Sequence, residues 1–169
     1  MEKLNCSAYD VAGSIEEMIK SGATVPVFIS GNSMNPFLVN GRDIVYLKSF
    51  LEEELKTGRI LLFRRKDGQL VLHRLHRVLP DGKLRVVGDG QTCFETTDKA
   101  QVVAVVSDIE RKGKKCSADS FGWKTVNFFW RLLIPLRPYV MKIWRQTKTS
   151  QRSKAYGTDG SDNNAAYRQ

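Results

Sequence analysis

Short runs of apolar and β-branched residues, separated by turn signals, fill the middle of the chain. Six runs predict strands, at residues 24–29, 43–47, 59–64, 70–79, 84–87 and 102–109. Lys66-Asp67-Gly68 and the stretch 80–83 have the composition of hairpin turns. Strands joined by hairpins predict a mainly β domain whose antiparallel sheet is closed or strongly coiled.

Apolar residues at helical spacing occur on both sides of this strand region. Residues 8–21 have Val11, Ile15, Met18 and Ile19 on one stripe, which predicts an amphipathic helix that covers the sheet and ends at Ser21-Gly22. Residues 51–56 predict a short helical or loop insertion. The predicted organisation is an amphipathic helical segment in 1–23, a β domain in 24–110, a basic and aromatic helical segment in 111–146, and a polar, disordered tail in 147–169.

The positive charge is concentrated in the third of these segments. The chain has a net charge of +9, and residues 111–148 carry 10 basic side chains and 1 acidic side chain. Residues 111–115 are predicted to be a solvated basic linker. The stretch 123–144 mixes aromatic and aliphatic residues with cations, and Pro135 and Pro138 are expected to break or kink its helix.

A segment of this composition suits a membrane surface better than a membrane interior. Arginines near the centre of a spanning helix are costly, whereas an interfacial helix places aromatic rings and cations at the headgroup level. We therefore expect residues 123–146 to bind a membrane surface, and the alternative is that they pack on the β domain or on a partner. Nucleic-acid binding is not expected, because the aromatic residues lie among aliphatic ones and no helix-turn-helix pattern precedes the strands.

The cysteines and the N-terminus bear on the compartment. Three cysteines without CxxC spacing or even pairing favour neither a disulfide framework nor a metal site, and fit a reducing compartment. No apolar stretch follows the first residues, so a cleavable signal peptide is not expected. The expectation is a membrane-associated protein that is otherwise cytoplasmic, with the side of the membrane left open.

One octapeptide, residues 30–37, has the composition of a catalytic turn. It follows an apolar strand, Gly31 permits backbone angles that other residues resist, and Pro36 prevents a helix at the residue before it. Such a turn exposes the hydroxyl of Ser33 beside unpaired backbone N–H groups, as an acyl-transfer nucleophile requires. The alternative is an ordinary loop, since small polar residues are typical of loops.

Both histidines of the chain, His73 and His76, lie on one predicted strand about forty residues later. A neutral imidazole is the usual base for a serine near pH 7. On a regular strand the two side chains point to opposite faces, so they cannot both face Ser33 or bind one metal.

Four motifs in order give the chain a family resemblance. Gly31-x-Ser33-Met34-x-Pro36, then Gly41-x-Asp43-Ile44-Val45, then the His73-Arg74-x-x-Arg77-Val78 box and Gly88-Asp89-Gly90 resemble the S24/S26 serine peptidases, over about residues 25–110. That group includes type I signal peptidases and LexA-type self-cleaving repressors, and its fold is a β-rich domain. The box with histidine is closest to the endoplasmic-reticulum and spore-type signal peptidases. The nearby Lys66 lies in a predicted turn, where a lysine cannot be desolvated to act as the base.

The resemblance implies roles for particular residues. Ser33 is the nucleophile and His73 the base, although an alignment that uses His76 stays open. The acid that orients the base is Asp89, or else a residue several positions further on, Glu95 or Asp98, and Asp89 could instead bind only its own turn. Backbone around the serine forms the oxyanion and substrate pocket, with Gly31, Asn32, Met34 and Pro36, and Met34 could equally be a core residue. No metal and no cofactor are implied.

The function that follows from this resemblance is a serine endopeptidase that cleaves a protein or leader peptide. Ordinary signal peptidases have a membrane-spanning helix before the serine box, and this chain departs from that pattern. Two alternatives therefore stay open: a cytoplasmic LexA-type protein that cleaves itself, and a non-catalytic binding module on the same fold.

Overall fold

The computed structural model of the chain describes residues 8–139 and 142, without the side chains of residues 8–11, 127 and 135. Its main element is one antiparallel sheet. The strands are β1 (Val25–Phe28), β2 (Asp43–Lys48), β3 (Ile60–Arg64), β4 (Leu70–Val78), β5 (Leu84–Val87), β6 (Glu95–Thr97), β7 (Val102–Arg111) and β8 (Lys114–Ser117). The sheet order is β1-β2-β7-β3-β4-β5-β6, and β8 pairs with β7.

Hydrophobic side chains cover both faces of the sheet centre. On β3, Ile60 and Leu62 belong to one buried cluster, whereas Leu61 and Phe63 belong to the other. Register shifts occur in the pairings of β2 with β7, β3 with β7 and β4 with β5. Such bulges bend a strand and increase its twist, so the sheet is not flat.

Two helices lie before and after the strands. Helix α1 (Ala8–Lys20) buries Ile19 in the first cluster and ends where Gly22 adopts a φ of 87°. Met18 departs from the predicted apolar stripe because it is 49% exposed. Helix α2 (Phe121–Leu132) is followed by a 3₁₀ turn at Ile134–Leu136.

The strand pattern of the sequence is confirmed. Each of the six predicted strands matches an observed strand to within two residues at either end, and the fold is mainly antiparallel β with a few short helices. The predicted linker at 111–115 is wrong, since Arg111 ends β7 and Lys114 begins β8. The two residues between them, Lys112 and Gly113, have φ values of 52° and 73°, as tight hairpin turns require.

Some sequence-based expectations fall on residues that the structure does not describe. These are the start of the 1–23 segment, most of the stretch 140–146, and the tail 147–169. Within the described part of the chain, no helix is both long enough and apolar enough to cross a membrane.

Candidate active site

The predicted serine turn joins β1 to β2. Gly31 adopts a φ of 82°, which glycine tolerates and other residues resist. Ser33, two residues further along the turn, is half-buried. The Asn35 amide donates to the Asn32 carbonyl at 3.2 Å, and the Asn35–Pro36 peptide bond is cis. The turn is thus a defined structure that leaves the Ser33 side chain partly accessible.

Met34, the next residue, is buried in the hydrophobic core, unlike Ser33. It is 3% exposed and belongs to the first hydrophobic cluster, with Leu38. The structure therefore gives Met34 the core position that the sequence left open beside a place in the substrate pocket. It anchors the turn to the sheet.

Asp43, the first residue of β2, holds the end of the serine turn against the sheet. Its buried carboxylate accepts hydrogen bonds from the Val39 amide at 2.9 Å, from Arg42 Nε at 2.9 Å and from Arg111 Nε at 3.0 Å. Burial raises the pKa of Asp43, but these hydrogen bonds outweigh burial and lower the pKa to about 2. The aspartate of the second motif is thus a structural anion.

His73 lies at the centre of the sheet beside a carboxylate. It pairs with Leu61 across β3 and β4 and is 1% exposed. Its Nδ1 atom is 3.5 Å from Glu95 Oε1, at the start of β6, and forms no hydrogen bond at that distance. An imidazole and a carboxylate therefore lie side by side without a hydrogen bond between them.

The surroundings keep this imidazole neutral. Burial is the main cause that lowers the pKa of His73, the Glu95 carboxylate acts in the opposite direction, and the Arg65 guanidinium adds to the lowering. A histidine with a lowered pKa stays neutral to a lower pH than usual, so it is available as a proton acceptor.

Glu95 is held in place from its other side. Arg65 Nε donates to Glu95 Oε2 at 2.7 Å, and Arg65 Nη2 donates to Glu95 Oε1. The hydrogen bond from Arg65 is the main cause that lowers the pKa of Glu95. The carboxylate facing His73 is therefore ionised and fixed by a bidentate contact.

Asp89 has a different partner from the one that the resemblance implies. Arg74 Nε donates to Asp89 Oδ1 at 2.8 Å and Arg74 Nη2 donates to Asp89 Oδ2 at 2.6 Å, and both side chains are buried. Arg74 Nη1 also donates to the Gly58 carbonyl at 2.8 Å. No described hydrogen bond or ion pair joins Asp89 to His73, and Glu95 is the carboxylate nearest that imidazole among the described ion pairs.

His76 lies in a separate environment. The pairing of β4 with β5 shifts between Leu75 and Arg77, so His76 occupies a bulge and the simple alternation of faces does not apply there. Its ring packs on Phe94 at 4.8 Å, and burial and nearby arginines, Arg131 first, lower its pKa. None of the described salt bridges gives His76 a carboxylate partner.

The serine turn meets the other motifs through a loop. The Gly90 amide donates to the Ser33 carbonyl at 2.8 Å, which joins the turn to the loop that follows β5. Within the described residues, the Ser33 amide and hydroxyl form no hydrogen bond, and none joins Ser33 to His73. An unpaired amide at the serine suits an oxyanion donor, and catalytic hydrogen bonds are often long before substrate binds.

Among the described residues, no group of three or more histidine, cysteine or acidic side chains is placed so that it could hold a metal ion. Cys93 and Cys116 are free and exposed.

Several residues of the site were not singled out by the sequence. Arg65, which precedes the predicted turn at Lys66-Asp67-Gly68, holds Glu95, and Trp130 and Arg137 contact the loop of Asp89. The local pattern around Arg65 does not indicate this contact, because Glu95 lies thirty residues further along the chain. Searches against protein-family models and curated protein sequences found no match to this chain.

Proposed function

We propose that the chain is a serine endopeptidase acting on a protein or peptide substrate, with Ser33 as nucleophile and His73 as general base. The observation that carries the proposal is the buried, neutral imidazole of His73, whose Nδ1 atom lies 3.5 Å from an ionised carboxylate. The four ordered motifs support it, and the resemblance to histidine-type signal peptidases makes a preprotein or leader peptide the favoured substrate class.

The proposed reaction uses the two ring nitrogens of His73 for different tasks. With its proton on Nδ1, facing Glu95, the imidazole presents Nε2 as the base. Ser33 Oγ attacks the scissile carbonyl while Nε2 takes the hydroxyl proton, and the Ser33 amide stabilises the oxyanion. His73 then gives its proton to the leaving amine. Water hydrolyses the acyl-enzyme by the same route and regenerates Ser33.

The experiment that tests this proposal is cleavage of a preprotein by the full chain with phospholipid vesicles present. We expect Ser33→Ala to lower kcat/KM by at least about a thousandfold, because the nucleophile is lost. Ser49→Ala is a matched control, since Ser49 is an exposed serine outside the site. Equal activity of Ser33→Ala and the control would contradict the proposal. Cleavage of the chain itself, in place of the substrate, would favour the self-processing alternative.

Helix α2 supports a second part of the proposal, that the peptidase works at an anionic lipid surface. Its outer side exposes large apolar residues that no described part of the chain covers, namely Phe121, Val126, Phe128, Phe129, Leu132 and, just beyond the helix, Leu136. Lys124 lies on the same helix and is exposed, and the segment 111–148 holds the excess of positive charge. Arg131 is not part of this surface, because it donates to the His76 carbonyl at 3.3 Å. Apolar side chains beside cations match a bilayer interface with anionic headgroups.

Vesicle sedimentation tests the lipid surface. We expect the wild-type chain to sediment with vesicles of phosphatidylglycerol, less with phosphatidylcholine, and less again at high salt. Phe128→Asp combined with Phe129→Asp should abolish sedimentation. Phe28→Asp is a control because Phe28 is 72% exposed and belongs to β1 rather than to the helix. Equal loss in the control, or none in the double variant, would contradict the assignment of α2.

A further inference from the structure

The loop Gly88–Gln91 contacts the serine turn directly at Ser33. The Gly90 amide donates to the Ser33 carbonyl at 2.8 Å, and the Gln91 amide closes the loop on the Gly88 carbonyl at 3.0 Å. A Cβ atom added at Gly88 would lie 2.6 Å from the Ser33 carbonyl oxygen, closer than real contacts allow. The position of the loop therefore fixes the position of Ser33.

Helix α2 and the residues just after it form hydrogen bonds with this loop. Trp130 Nε1, on α2, donates to the Asp89 carbonyl at 3.1 Å. Arg137 Nη1 donates to the Gly88 carbonyl at 3.2 Å and to the Gln91 carbonyl at 3.3 Å. Both side chains are buried, Trp130 at 7% exposed and Arg137 at 1% exposed, so water does not compete for these contacts.

The same helix also packs on the far end of the serine turn. The ring of Phe37 meets the rings of Trp130 at 5.1 Å and Trp123 at 5.9 Å, both edge to face. The two tryptophans thus share Phe37 as a partner. They differ because Trp130 donates a hydrogen bond to the loop, whereas Trp123 forms no such bond among the described contacts.

We infer that Trp130 and Arg137 are positioning residues for Ser33, acting through the loop Gly88–Gln91. The inference rests on the proposed peptidase function and deepens it, because it makes the C-terminal segment part of the catalytic unit. A nucleophile displaced by about 1 Å can lose about a hundredfold in rate. The hydrogen bonds that position the loop therefore affect the rate of the chemical step. We therefore expect their loss to appear in kcat.

The test compares Trp130→Phe with Trp123→Phe, which make the same chemical change beside the same phenylalanine. Trp130→Phe removes the N–H that reaches Asp89 and keeps an aromatic ring. We expect its kcat to fall about tenfold with KM unchanged, and we expect Trp123→Phe to keep the wild-type kcat. Arg137→Gln should show the same loss of kcat, and Arg137→Lys should restore part of it.

Hydrogen exchange of the Gly90 amide gives a readout that needs no activity. That amide donates to Ser33, so we expect faster exchange in Trp130→Phe than in Trp123→Phe at equal thermal stability. Equal kcat and equal exchange in the two tryptophan variants would overturn the inference while leaving the peptidase proposal intact. If Ser33→Ala cleaved substrate like the wild type, the peptidase proposal would fail, and faster Gly90 exchange would still report the contact.

Discussion

Two neighbouring residues of β4 face two carboxylates, and the two pairs differ in their hydrogen bonds and in the exposure of the carboxylate. Arg74 and Asp89 form a buried, bidentate pair with both oxygens engaged. His73 and Glu95 are 3.5 Å apart without a hydrogen bond, and Glu95 is 30% exposed at its side chain. In the Arg74–Asp89 pair, both carboxylate oxygens accept hydrogen bonds from the guanidinium. In the His73–Glu95 pair, the imidazole has no hydrogen-bond partner at Nδ1 and can still take up a proton.

In the proposed mechanism, this difference separates Arg74, which stabilises the fold, from His73, which transfers a proton. A buried charge pair that satisfies itself contributes to structure and is costly to break from one side. A buried neutral histidine beside an ionised carboxylate can take a proton and have the resulting charge stabilised. Adjacent positions on one strand thus carry separate tasks because successive side chains face opposite sides of the sheet.

The largest expected effect is on stability at the Arg74–Asp89 pair. Asp89→Ala leaves a buried guanidinium without its partner, so we expect the free energy of unfolding to fall by about 3–5 kcal/mol. Glu95→Ala removes a partly exposed carboxylate, and we expect a loss of about 1 kcal/mol or less. Urea unfolding of the two variants measures both values.

A double variant sharpens this prediction. Arg74→Met combined with Asp89→Leu removes both charges, and should be more stable than Asp89→Ala alone because no buried charge is left unpaired. Equal stability losses in Asp89→Ala and Glu95→Ala would mean that the two pairs do not differ as described.

The next effect is on activity at the His73–Glu95 pair. Glu95→Gln keeps the shape of the side chain but removes the charge that stabilises the imidazolium. We expect kcat/KM to fall about a hundredfold, because general acid–base catalysis contributes about 10²–10⁴-fold to the rate. We expect little change in the free energy of unfolding. Asp98→Asn is a control, since Asp98 lies three residues on and is exposed. A fully active Glu95→Gln would remove Glu95 from the mechanism.

The smallest effect is a pair of opposite pH shifts. The acidic limb of kcat/KM reports protonation of the base, and activity is lost as pH falls through its pKa. Glu95 raises the pKa of His73 and Arg65 lowers it. The acidic limb should therefore move to lower pH in Glu95→Gln and to higher pH in Arg65→Gln. Shifts in the same direction would show that the base titrates in another environment.

The fold was predictable where strands have a buried face. Six strands were found because their apolar and β-branched residues alternate or run together, as on β3 and β7. Strand β6, Glu95–Thr97, was missed because three polar residues give no period. Strand β8 was missed because all four of its residues are exposed, so only backbone pairing with β7 defines it.

The site was predictable in its residue types but not in its pairings. Ser33, His73 and Glu95 were named from spacing and resemblance, whereas the partner of Asp89 depends on Arg74 reaching it across β4 and β5. The bulge at His76 has no signature in the sequence, although it sets where that ring points. The contacts of Trp130 and Arg137 arise from the docking of α2, which local pattern does not encode.

The most direct test of His73 as the base is preprotein cleavage by His73→Ala beside His76→Ala. The two variants remove the same side chain from one strand, three residues apart. We predict that His73→Ala lowers kcat/KM by at least about a thousandfold and that His76→Ala keeps most of the activity. Loss of activity in His76→Ala with retention in His73→Ala would contradict the assignment and move the base to the bulge of β4.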